Sequence, residues 1–158
     1  MELKFYNDLL HDYVEKYTLS KEQLKFVRSP GNNIEIAKYN KQRYPVLGFD
    51  NEICVSFFVL DMESEFKEEF EVMDAVYLRS FSTDYRYLRR GYARQMLTCA
   101  PKFIHEHFPD IKYIALLVDD PNIHAQTLYQ KAGFTIGKQI KGERYDGHLM
   151  YYEIVKGL

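Results

Sequence analysis

The sequence predicts a single α+β domain, because segments with strand patterns and segments with helix patterns follow one another along its 158 residues. A chain of this length buries roughly 70% of its unfolded surface, which is enough for one ordinary core. The hydrophobic fraction of 46% and the charged fraction of 28% are those of a soluble globular protein. The two most informative patterns are an apolar hairpin and the strand, basic turn and helix that come after it.

The first elements are predicted to be a short strand and a helix. Leu3 and Phe5 alternate with polar neighbours, which is the period of a strand. Either Asn7 or Asp8 can then cap a helix, because both side chains accept hydrogen bonds from the free N–H groups of a first turn. The apolar stripe of that helix would consist of Leu9, Leu10, Tyr13, Val14 and Tyr17.

A second short helix is predicted after Ser20, and the turn-forming residues SPGN at 29–32 are expected to end it. The next apolar residues are Ile34, Ile36 and Tyr39. Their spacing fits either another short helix or an extended arm, and it does not decide between the two.

A β-hairpin is predicted in the next part of the chain. Its strands are Tyr44–Phe49 and Ile53–Leu60, and Asp50-Asn51-Glu52 forms the turn between them. The second strand is almost continuously apolar, so we expect it at the centre of the sheet with both of its faces covered.

An acidic segment, DMESEFKEEFEVMD at 61–74, follows the hairpin and holds seven acids against one lysine. It fits a solvated loop, as most charge runs do. It also fits a collar that attracts a cationic substrate through its charge. Both interpretations stay open at this level.

The strand Ala75–Ser82 leads into a helix that starts near Gly91 and runs toward His107. Pro101 is expected to kink this helix, because an interior proline removes one backbone hydrogen bond. A further apolar strand is predicted at Ile111–Val118. The helix that starts near Gly91 is indicated by the helical spacing of the apolar residues Ala93, Met96, Leu97, Ala100 and Ile104.

The last helix has the clearest start and stop signals. Asp120 can cap it with Pro121 at its first position, and Gly133 ends it. Two strands, Phe134–Gly137 and His148–Val155, are predicted to complete the fold. The apolar stripe of the helix consists of Ala125, Leu128, Tyr129 and Ala132.

Composition and cysteine usage exclude several classes of protein. A net charge of −2 argues against a surface built throughout for nucleic acid. Cys54 and Cys99 are far apart and have no partner at metal-ligand spacing, so neither a disulfide framework nor a zinc site is supported. The longest apolar run is too short to span a membrane, and the N-terminus lacks the layout of a signal peptide. We therefore expect a reduced, cytoplasmic protein without a metal or a membrane partner.

The stretch YRYLRRGYAR at 85–94 joins a predicted strand to a predicted helix through a basic turn with one glycine. Helix N-termini present free N–H groups and a partial positive charge, and glycine lets an anion approach the backbone. Arg89, Arg90 and Arg94 add full charges. The turn is thus typical of a phosphate site, although an isolated motif with one glycine also fits an exposed basic helix start.

A second motif, NIHAQTLYQKAGF at 122–134, makes the turn more specific, since the two segments together resemble the GNAT superfamily of N-acetyltransferases. The cofactor loop of that family reads Q/R-x-x-G-x-G/A, which corresponds to residues 88–93, with Leu88 in place of the usual Gln or Arg. The later helix of the family often reads N-x-x-A-x-x-L-Y-x-K-x-G-F. This chain matches its fixed positions with Asn122, Ala125, Leu128, Tyr129, Lys131, Gly133 and Phe134.

The resemblance implies one acetyltransferase-like domain over residues 1–158, with a mixed, mostly antiparallel central sheet and helices on both faces. It implies that acetyl-CoA lies in a gap between the strand that ends near Thr83 and the strand that ends near Val118. The pyrophosphate would lie on the 89–94 turn, and the pantetheine would pair with the backbone at 81–83. The cofactor-binding residues it implies are Phe81, Ser82, Thr83, Arg89, Arg90, Gly91, Tyr92, Ala93, Arg94 and Asn122.

Tyr129 and Asn122 each have two interpretations. By resemblance, Tyr129 is the general acid that protonates the departing CoA thiolate, and a tyrosine with a pKa of about 10 keeps its proton near neutral pH. Its place four residues after Ala125 on an apolar stripe also fits a residue of the core. Asn122 either contacts the cofactor or caps its helix. The reaction implied is direct acetyl transfer to a primary amine, with a backbone N–H near 81–83 holding the oxyanion.

The general base and the acceptor are less defined. Some members of the family carry a glutamate on the strand before the cofactor loop, but Tyr77 stands there in this chain. Glu71, Asp74, Asp84 or His148 could act through water instead, and the sequence does not choose among them. The acidic segment favours a cationic acceptor, such as a polyamine or a lysine-rich peptide.

Two other functions fit parts of the sequence. The domain could bind acyl-CoA without chemistry, as a sensor or an interaction module, but such a site has no need of an acid at Tyr129. The 85–94 stretch could also bind RNA, but its tyrosines flank a turn instead of lying on strands, and the net charge of −2 disfavours polyanions. We therefore expect an enzyme that binds acetyl-CoA and a small-molecule or peptide amine, without nucleic acid. A homodimer is common for proteins of this size, and no segment marks an interface.

Overall fold

The computed structural model describes residues 1–158, apart from the side chains of residues 156 and 157. Seven strands form one sheet in the order β1-β2-β3-β4-β5-β7-β6. The strands are β1 (Glu2–Phe5), β2 (Arg43–Asp50), β3 (Ile53–Asp61), β4 (Ala75–Thr83), β5 (Tyr113–Asp119), β6 (Thr135–Ile140) and β7 (Gly147–Glu153). The helices are α1 (His11–Lys16), α2 (Pro30–Lys38), α3 (Tyr92–His107) and α4 (Ile123–Lys131).

The sheet is antiparallel at each pair of neighbouring strands except β4 and β5, which are parallel. Parallel strands need a crossover connection, and α3 supplies it. α3 and α4 pack on one face of the sheet, and α1 and α2 pack on the other. The predicted α+β class, with a mixed and mostly antiparallel sheet and helices on both faces, is confirmed.

The N-terminal segment folds as a strand, a tight turn and a short helix. The Asn7 side chain accepts a hydrogen bond from the Leu9 N–H, so it caps a 3₁₀ turn at residues 8–10 that leads into α1. The predicted stripe is wrong at Leu9, which is 92% exposed. A 3₁₀ turn has three residues per turn in place of 3.6, so it rotates Leu9 away from the face that Val14 buries.

The SPGN segment at 29–32 starts a helix instead of ending one. Ser29 accepts a hydrogen bond from the Asn32 N–H, and Pro30 occupies the first turn of α2. Proline is favoured there because its missing N–H would have no partner and its fixed φ suits a helix. The prediction was wrong because Ser-Pro is typical both of a turn and of a helix start. The helix expected before this segment is a short 3₁₀ turn, Gln23–Lys25, and the residues after the segment are helical.

The predicted hairpin is confirmed as β2 and β3, with Asn51 in the left-handed conformation (φ 54°) at its turn. Phe58 and Leu60 of β3 pack in the core cluster beneath α3 and α4. Phe57 and Val59 pack in the cluster beneath α1 and α2. Because both faces of β3 are covered, its near-continuous apolar run is explained.

α4 begins two residues later than predicted, at Ile123 instead of Pro121. Asn122 caps it by accepting a hydrogen bond from the Ala125 N–H, which settles its capping role. Asp120 is not the cap, because its carboxylate binds His148 instead. Gly133 follows the helix with a φ of 102°, so the predicted stop signal is confirmed.

The remaining C-terminal elements agree with the prediction except at their ends. α3 runs without interruption through Pro101, and the kink expected there stays a prediction. β6 extends to Ile140, and Val155 lies in a 3₁₀ turn after β7. Among the residues described, none of the helices combines the length and the apolar character required to cross a bilayer. The same residues contain no group of three or more His, Cys, Asp or Glu side chains placed to hold a metal ion.

Candidate active site

β4 and β5 separate after a short paired stretch. Their parallel pairing covers only Ala75–Tyr77 and Tyr113–Ala115, although β4 continues to Thr83 and β5 continues to Asp119. The later residues of the two strands therefore do not pair with each other, and a gap opens between them. We call the paired stretch the closed half of the strand pair and the separated stretch the open half. The open half lies between the two strand ends where the resemblance implied acetyl-CoA.

β4 carries a bulge in the open half, centred on Ser80. Its pairing with β3 shifts by one residue between Phe57 and Val59, so β4 has one residue more than β3 there. Ser80 has a φ of 55°, in the left-handed region that a residue with a side chain adopts at a cost of roughly 1 kcal/mol or more. Its hydroxyl donates to Oδ1 of the buried Asn33 at 3.1 Å, which ties the bulge to α2. A bulge changes the direction in which the backbone and side-chain groups of a strand point, and this bulge borders the gap.

The segment predicted to pair with pantetheine, Phe81–Thr83, is braced from the side of α1. The Tyr17 hydroxyl donates to the Ser82 carbonyl at 2.9 Å. Burial raises the pKa of the Tyr17 hydroxyl, so the group keeps the proton that it donates. Gln23 Nε2 donates to the Thr83 carbonyl at 2.8 Å. These bonds fix the end of β4 beside the gap.

The turn before α3 leaves a row of N–H groups without partners. The first hydrogen bond of the helix joins the Gln95 N–H to the Gly91 carbonyl, and no side chain caps the helix, whereas α2 and α4 have caps. The N–H groups of Tyr92, Ala93 and Arg94 therefore have no partner in the part of the chain that the structure describes. Gly91 has a φ of 80°, and a side chain there would meet no protein atom within 4 Å. The turn is open to an anion.

Three arginines at this turn carry uncompensated charge. A fourth arginine, Arg86, is not one of them, because it pairs with the buried Asp84, with 2.8 Å between Nη2 and Oδ2. Arg89, Arg90 and Arg94 are exposed, and none of them forms an ion pair with a described residue. Their charge and the free N–H groups favour the same kind of ligand, a phosphorylated anion.

Tyr129 of α4 reaches across the gap to β4. Its ring lies 6.2 Å from the ring of Phe81 and 5.6 Å from that of Phe134, and the residue is only 8% exposed. Its hydroxyl has no hydrogen-bond partner among the described residues, and it is not sealed from solvent. Burial raises the pKa of Tyr129. The ring thus belongs to the core, while the hydroxyl keeps its proton and is free to donate it.

Three of the four base candidates are either bonded within the protein or lie away from the open half. Glu71 accepts hydrogen bonds from the Lys138 N–H and the Tyr151 hydroxyl. Asp74 lies one residue before β4, at the closed end. Asp84 is fully buried, and hydrogen bonds from neighbouring turns take up its carboxylate. None of these carboxylates is free beside the open half.

The fourth candidate, His148, lies on β7 opposite Val118. Its Nδ1 is 2.8 Å from Oδ1 of Asp120, a contact that fixes the orientation of the ring. Side chains alternate along a strand, and Met150 packs in the cluster beneath α3 and α4. His148 therefore lies on the face of the sheet that α4 covers.

A carboxylate at the end of β5, Asp119, was not among the site residues predicted from the sequence. Asp119 alternates with Val118 and shares the face of Leu117, which is opposite to α3 and α4. It is partly buried, and its carboxylate has neither a hydrogen bond nor an ion pair with a described residue. Burial raises the pKa of Asp119, the charge of Asp120 raises it further, and Arg144 lowers it. The signal available in the sequence was a charged residue directly after an apolar strand, at the edge where parallel strands end.

The face opposite α3 and α4 is partly roofed over the open half. Residues 18–29 are attached to the end of β4 through Gln23. Phe26 in that segment packs on Tyr145 in the 141–146 loop between β6 and β7, with 5.5 Å between ring centroids. We call this contact the Phe26–Tyr145 arch. It joins the β4 side of the gap to the β7 side, so it narrows the entrance on this face.

Most of the acidic segment 61–74 is neutralised within the protein. Asp61 is buried and pairs with Arg79 at 2.9 Å and with Arg43 at 3.4 Å. Glu65 pairs with Arg79 at 2.6 Å. The segment is thus largely an ion-paired surface, which weakens the interpretation as a collar. The further pairs are Glu63–Lys67 and Glu69–Lys138.

Comparison with known proteins gives a family and a curated relative. The model of the acetyltransferase (GNAT) family matches residues 5–134. The uncharacterized N-acetyltransferase YbbJ of Bacillus subtilis is 29% identical over 135 residues, which cover 85% of this chain and 84% of that protein.

Solved structures share the fold over nearly the whole chain. The aminoglycoside N(6')-acetyltransferase of Legionella pneumophila matches with a TM-score of 0.72 at 23% identity, covering 99% of this chain and 93% of that one. The spermidine N-acetyltransferase of Vibrio cholerae, in complex with CoA and spermine, matches with a TM-score of 0.72 at 14% identity, covering 99% and 96%. At such identities the likeness shows the fold alone.

Proposed function

The chain belongs to the GNAT family of acetyltransferases and is an acyl-CoA-dependent N-acyltransferase, and from this premise we propose that it moves the acetyl group of acetyl-CoA directly to a primary amine of a small molecule. The observation that carries the proposal is the gap between β4 and β5, which the Tyr129 side chain crosses to reach Phe81. The gap gives a thioester a place beside a hydroxyl that can donate.

The turn before α3 fits the pyrophosphate of acetyl-CoA. It offers the unpartnered N–H groups of Tyr92, Ala93 and Arg94, and the charges of Arg89 and Arg90 lie beside them. Leucine at the position before these arginines contributes no polar side chain, so the backbone and the arginines would supply the binding energy. The pantetheine arm would then run along Phe81–Thr83.

The proposed chemistry uses two groups of this chain on the cofactor side. An N–H at the bulge of β4 would stabilise the oxyanion that forms when the amine attacks the thioester carbonyl, since preorganised donors act most strongly where charge develops. The Tyr129 hydroxyl would give its proton to sulfur as the C–S bond breaks. Direct transfer needs no acyl-enzyme.

We infer that the acceptor is a small cationic amine, with a polyamine as the first compound to test. The Phe26–Tyr145 arch favours a slender acceptor over a folded protein surface. Relatives named for acting on an aminoglycoside and on spermidine are consistent with a cationic amine. The acidic segment 61–74 supports this choice less than its composition suggested, because five of its seven carboxylates have partners within the protein.

The test is to measure release of free CoA thiol from acetyl-CoA with a panel of amines. The panel contains spermidine, an aminoglycoside, a lysine-rich peptide and a neutral amine, with a sample without amine as the control. We expect release that depends on the amine and is fastest for a small cationic one. Saturable binding of acetyl-CoA without release in any sample would contradict an enzyme and favour an acyl-CoA sensor. Equal rates for cationic and neutral amines would contradict the inference that the acceptor is cationic.

A further inference from the structure

We propose that Asp119 is the catalytic base, taking the proton of the acceptor amine as the new N–C bond forms. The inference rests on the proposed function, because it assigns a residue on the acceptor side of the same gap. Asp119 would act as the general base, a role that a glutamate on the strand before the cofactor loop has in some members of the family. In this chain that position is Tyr77, a buried residue packed against Phe66 and Phe70. Burial raises the pKa of Tyr77, so that side chain stays protonated and cannot accept a proton.

Asp119 lies on the face from which an amine must approach. α3 and α4 cover one face, and the row of free N–H groups at the start of α3 would bring the acetyl-CoA arm to the gap from there. The amine then needs the opposite face, because the carbonyl carbon is attacked from a side that the cofactor leaves open. Asp119 shares that opposite face with Leu117, at the end of β5 where the two strands have separated.

Asp119 also differs from the other carboxylates of the described chain. The other carboxylates without a partner in the protein, such as Glu68 and Asp74, are exposed, so water can satisfy their hydrogen bonds. Asp119 is partly buried, yet its carboxylate forms no hydrogen bond and no ion pair with a described residue. Among the other carboxylate side chains that are partly or fully buried, Glu153 has an interaction partner, and the rest form a hydrogen bond or an ion pair: Asp50, Asp61, Asp84, Asp120 and Asp146. A partly buried carboxylate with a free oxygen is what a base requires.

The charged and titratable groups that interact with Asp119 come from three segments. Asp120 follows it in the chain, and Arg144 acts on it from the 141–146 loop. The Tyr77 hydroxyl of β4 has its pKa raised mainly by its own burial, and Asp119 contributes less than Arg79 and Glu65 do.

The neighbouring Asp120 has a separate, structural place. Its Oδ1 is bound to His148 Nδ1 at 2.8 Å, and Gln126 Nε2 donates to its carbonyl at 3.1 Å. Both contacts hold the start of α4. Asp120 thus has its hydrogen bonds within the protein, and Asp119 is the carboxylate left for a ligand.

The step balances without any further reactant. The amine nitrogen attacks the acetyl carbon, and its N–H becomes acidic as the N–C bond forms, so the proton passes to Asp119. The C–S bond breaks, its electron pair stays on sulfur, and the Tyr129 hydroxyl supplies the proton of the thiol. Asp119 then loses a proton to solvent and Tyr129 regains one. The products are an N-acetylated amine and CoA.

Asp119→Asn tests the proposal, because it keeps the shape of the side chain and removes its basicity. We expect kcat/KM for the amine at pH 7 to fall by about 100-fold, at the lower end of the range for acid–base residues, with an unchanged Kd for acetyl-CoA by calorimetry. Part of the rate should return as the pH is raised, since hydroxide then replaces the lost base. Glu68→Gln, which neutralises an exposed carboxylate, is the matched control and should keep the rate of the wild type.

The pH profile separates a base from a residue that only supports the fold. In the wild type, kcat/KM should fall as the pH is lowered through the pKa of Asp119, which burial raises above the ordinary value of 3.8. Asp120→Asn removes a neighbouring charge that raises this pKa, so the fall should move to lower pH. If Asp119→Asn keeps the wild-type rate and profile, the role of Asp119 is overturned while the proposed function stands. If the wild type binds acetyl-CoA and acetylates no amine, the proposed function fails and the role fails with it.

Discussion

The closed and open halves of the β4–β5 pair differ in how completely their polar groups are satisfied. In the closed half, the strands pair with each other, and Asp61, which lies opposite Tyr77 on the neighbouring strand, is joined to Arg43 and Arg79 in ion pairs. In the open half, the strands separate, a helix begins without a cap, and the Tyr129 hydroxyl and the Asp119 carboxylate have no partner. The one described side-chain polar atom that is fully buried without a hydrogen bond is Arg43 Nε, beside Asp61. The unbonded side-chain groups of the open half are instead accessible to solvent, as groups that bind a ligand must be.

The comparison teaches which residues to assign to the fold and which to a ligand. Ionisable groups are plentiful in both halves, so their presence alone does not mark a site. Near the closed half most of them form hydrogen bonds or ion pairs within the protein, although Arg43 Nε lies in an ion pair with Asp61 without a hydrogen bond. In the open half the free donors and acceptors come from a turn, a helix and a strand end. Left-handed backbone does not distinguish the halves, because Ser80 in the open half has a φ of 55° and Asp74, directly before the closed half, has a φ of 58°.

The largest effect is expected at the cofactor turn. Gly91→Glu forces a side chain into a φ of 80° and places a negative charge beside the free N–H groups. We expect binding of acetyl-CoA to become undetectable by isothermal titration calorimetry. Gly31→Glu is the control, because Gly31 also has open space around it but no positive φ. If Gly91→Glu binds like the wild type, the turn does not hold the cofactor.

In the closed half, Asp61→Asn should affect stability strongly and chemistry little. It leaves the guanidinium groups of Arg43 and Arg79 without a buried counter-charge, and breaking such a pair costs about 3 kcal/mol or more. Urea denaturation measures the loss in the free energy of unfolding. Glu63→Gln, which breaks an exposed pair with Lys67, should cost less than about 1 kcal/mol. Equal losses for the two variants would contradict the contrast drawn between buried and exposed pairs.

In the open half, Tyr129→Phe should affect the chemistry strongly and the stability little. The ring and its contacts with Phe81 and Phe134 remain, so stability and the Kd for acetyl-CoA should hardly change. Loss of the proton donor should lower kcat by about 100-fold, equivalent to roughly 2.7 kcal/mol. Tyr152→Phe, which alters a tyrosine packed against Phe134, is the control. Full activity of Tyr129→Phe across the pH range would exclude Tyr129 as the acid.

The smallest effect is a gain in stability from Asp119→Asn. The folded state raises the pKa of Asp119, so the ionised form costs free energy at neutral pH, and that cost disappears below the ordinary value of 3.8. Removing the charge should raise Tm at pH 7 by about 1–2 °C, and the gain should vanish near pH 3. Glu68→Gln should leave Tm unchanged. A fall in Tm for Asp119→Asn at pH 7 would mean that the carboxylate supports the fold.

The parts of the fold that local signals control could be predicted from the sequence. The hairpin, the central position of β3, the extent of α3 and the stop at Gly133 all follow from apolar periodicity and from turn residues. The errors fall where one short motif has two structural uses. Ser-Pro at residues 29–30 begins a helix although it resembles a turn, and Asp120 binds His148 although it resembles a cap. Only contacts with distant residues decide between such uses.

The candidate site could be predicted on its cofactor side and not on its acceptor side. The turn at 89–94 and the motif around Tyr129 are continuous in sequence, so the resemblance to the family could locate them. Asp119 has no motif, and its importance comes from the separation of β4 and β5 and from the absence of a partner. The arch depends on Phe26 and Tyr145, which are far apart in sequence. Such features need a structure.

The most direct test of the contrast between the halves is a titration of acetyl-CoA followed by the backbone amide signals of the isotope-labelled protein. The account predicts saturable shifts at residues 92–94 and 81–83, in the open half, and little change at residues 75–77 and 113–115, in the closed half. Shifts confined to other parts of the sheet, or none at millimolar acetyl-CoA, would contradict the assignment of the open half as the active site.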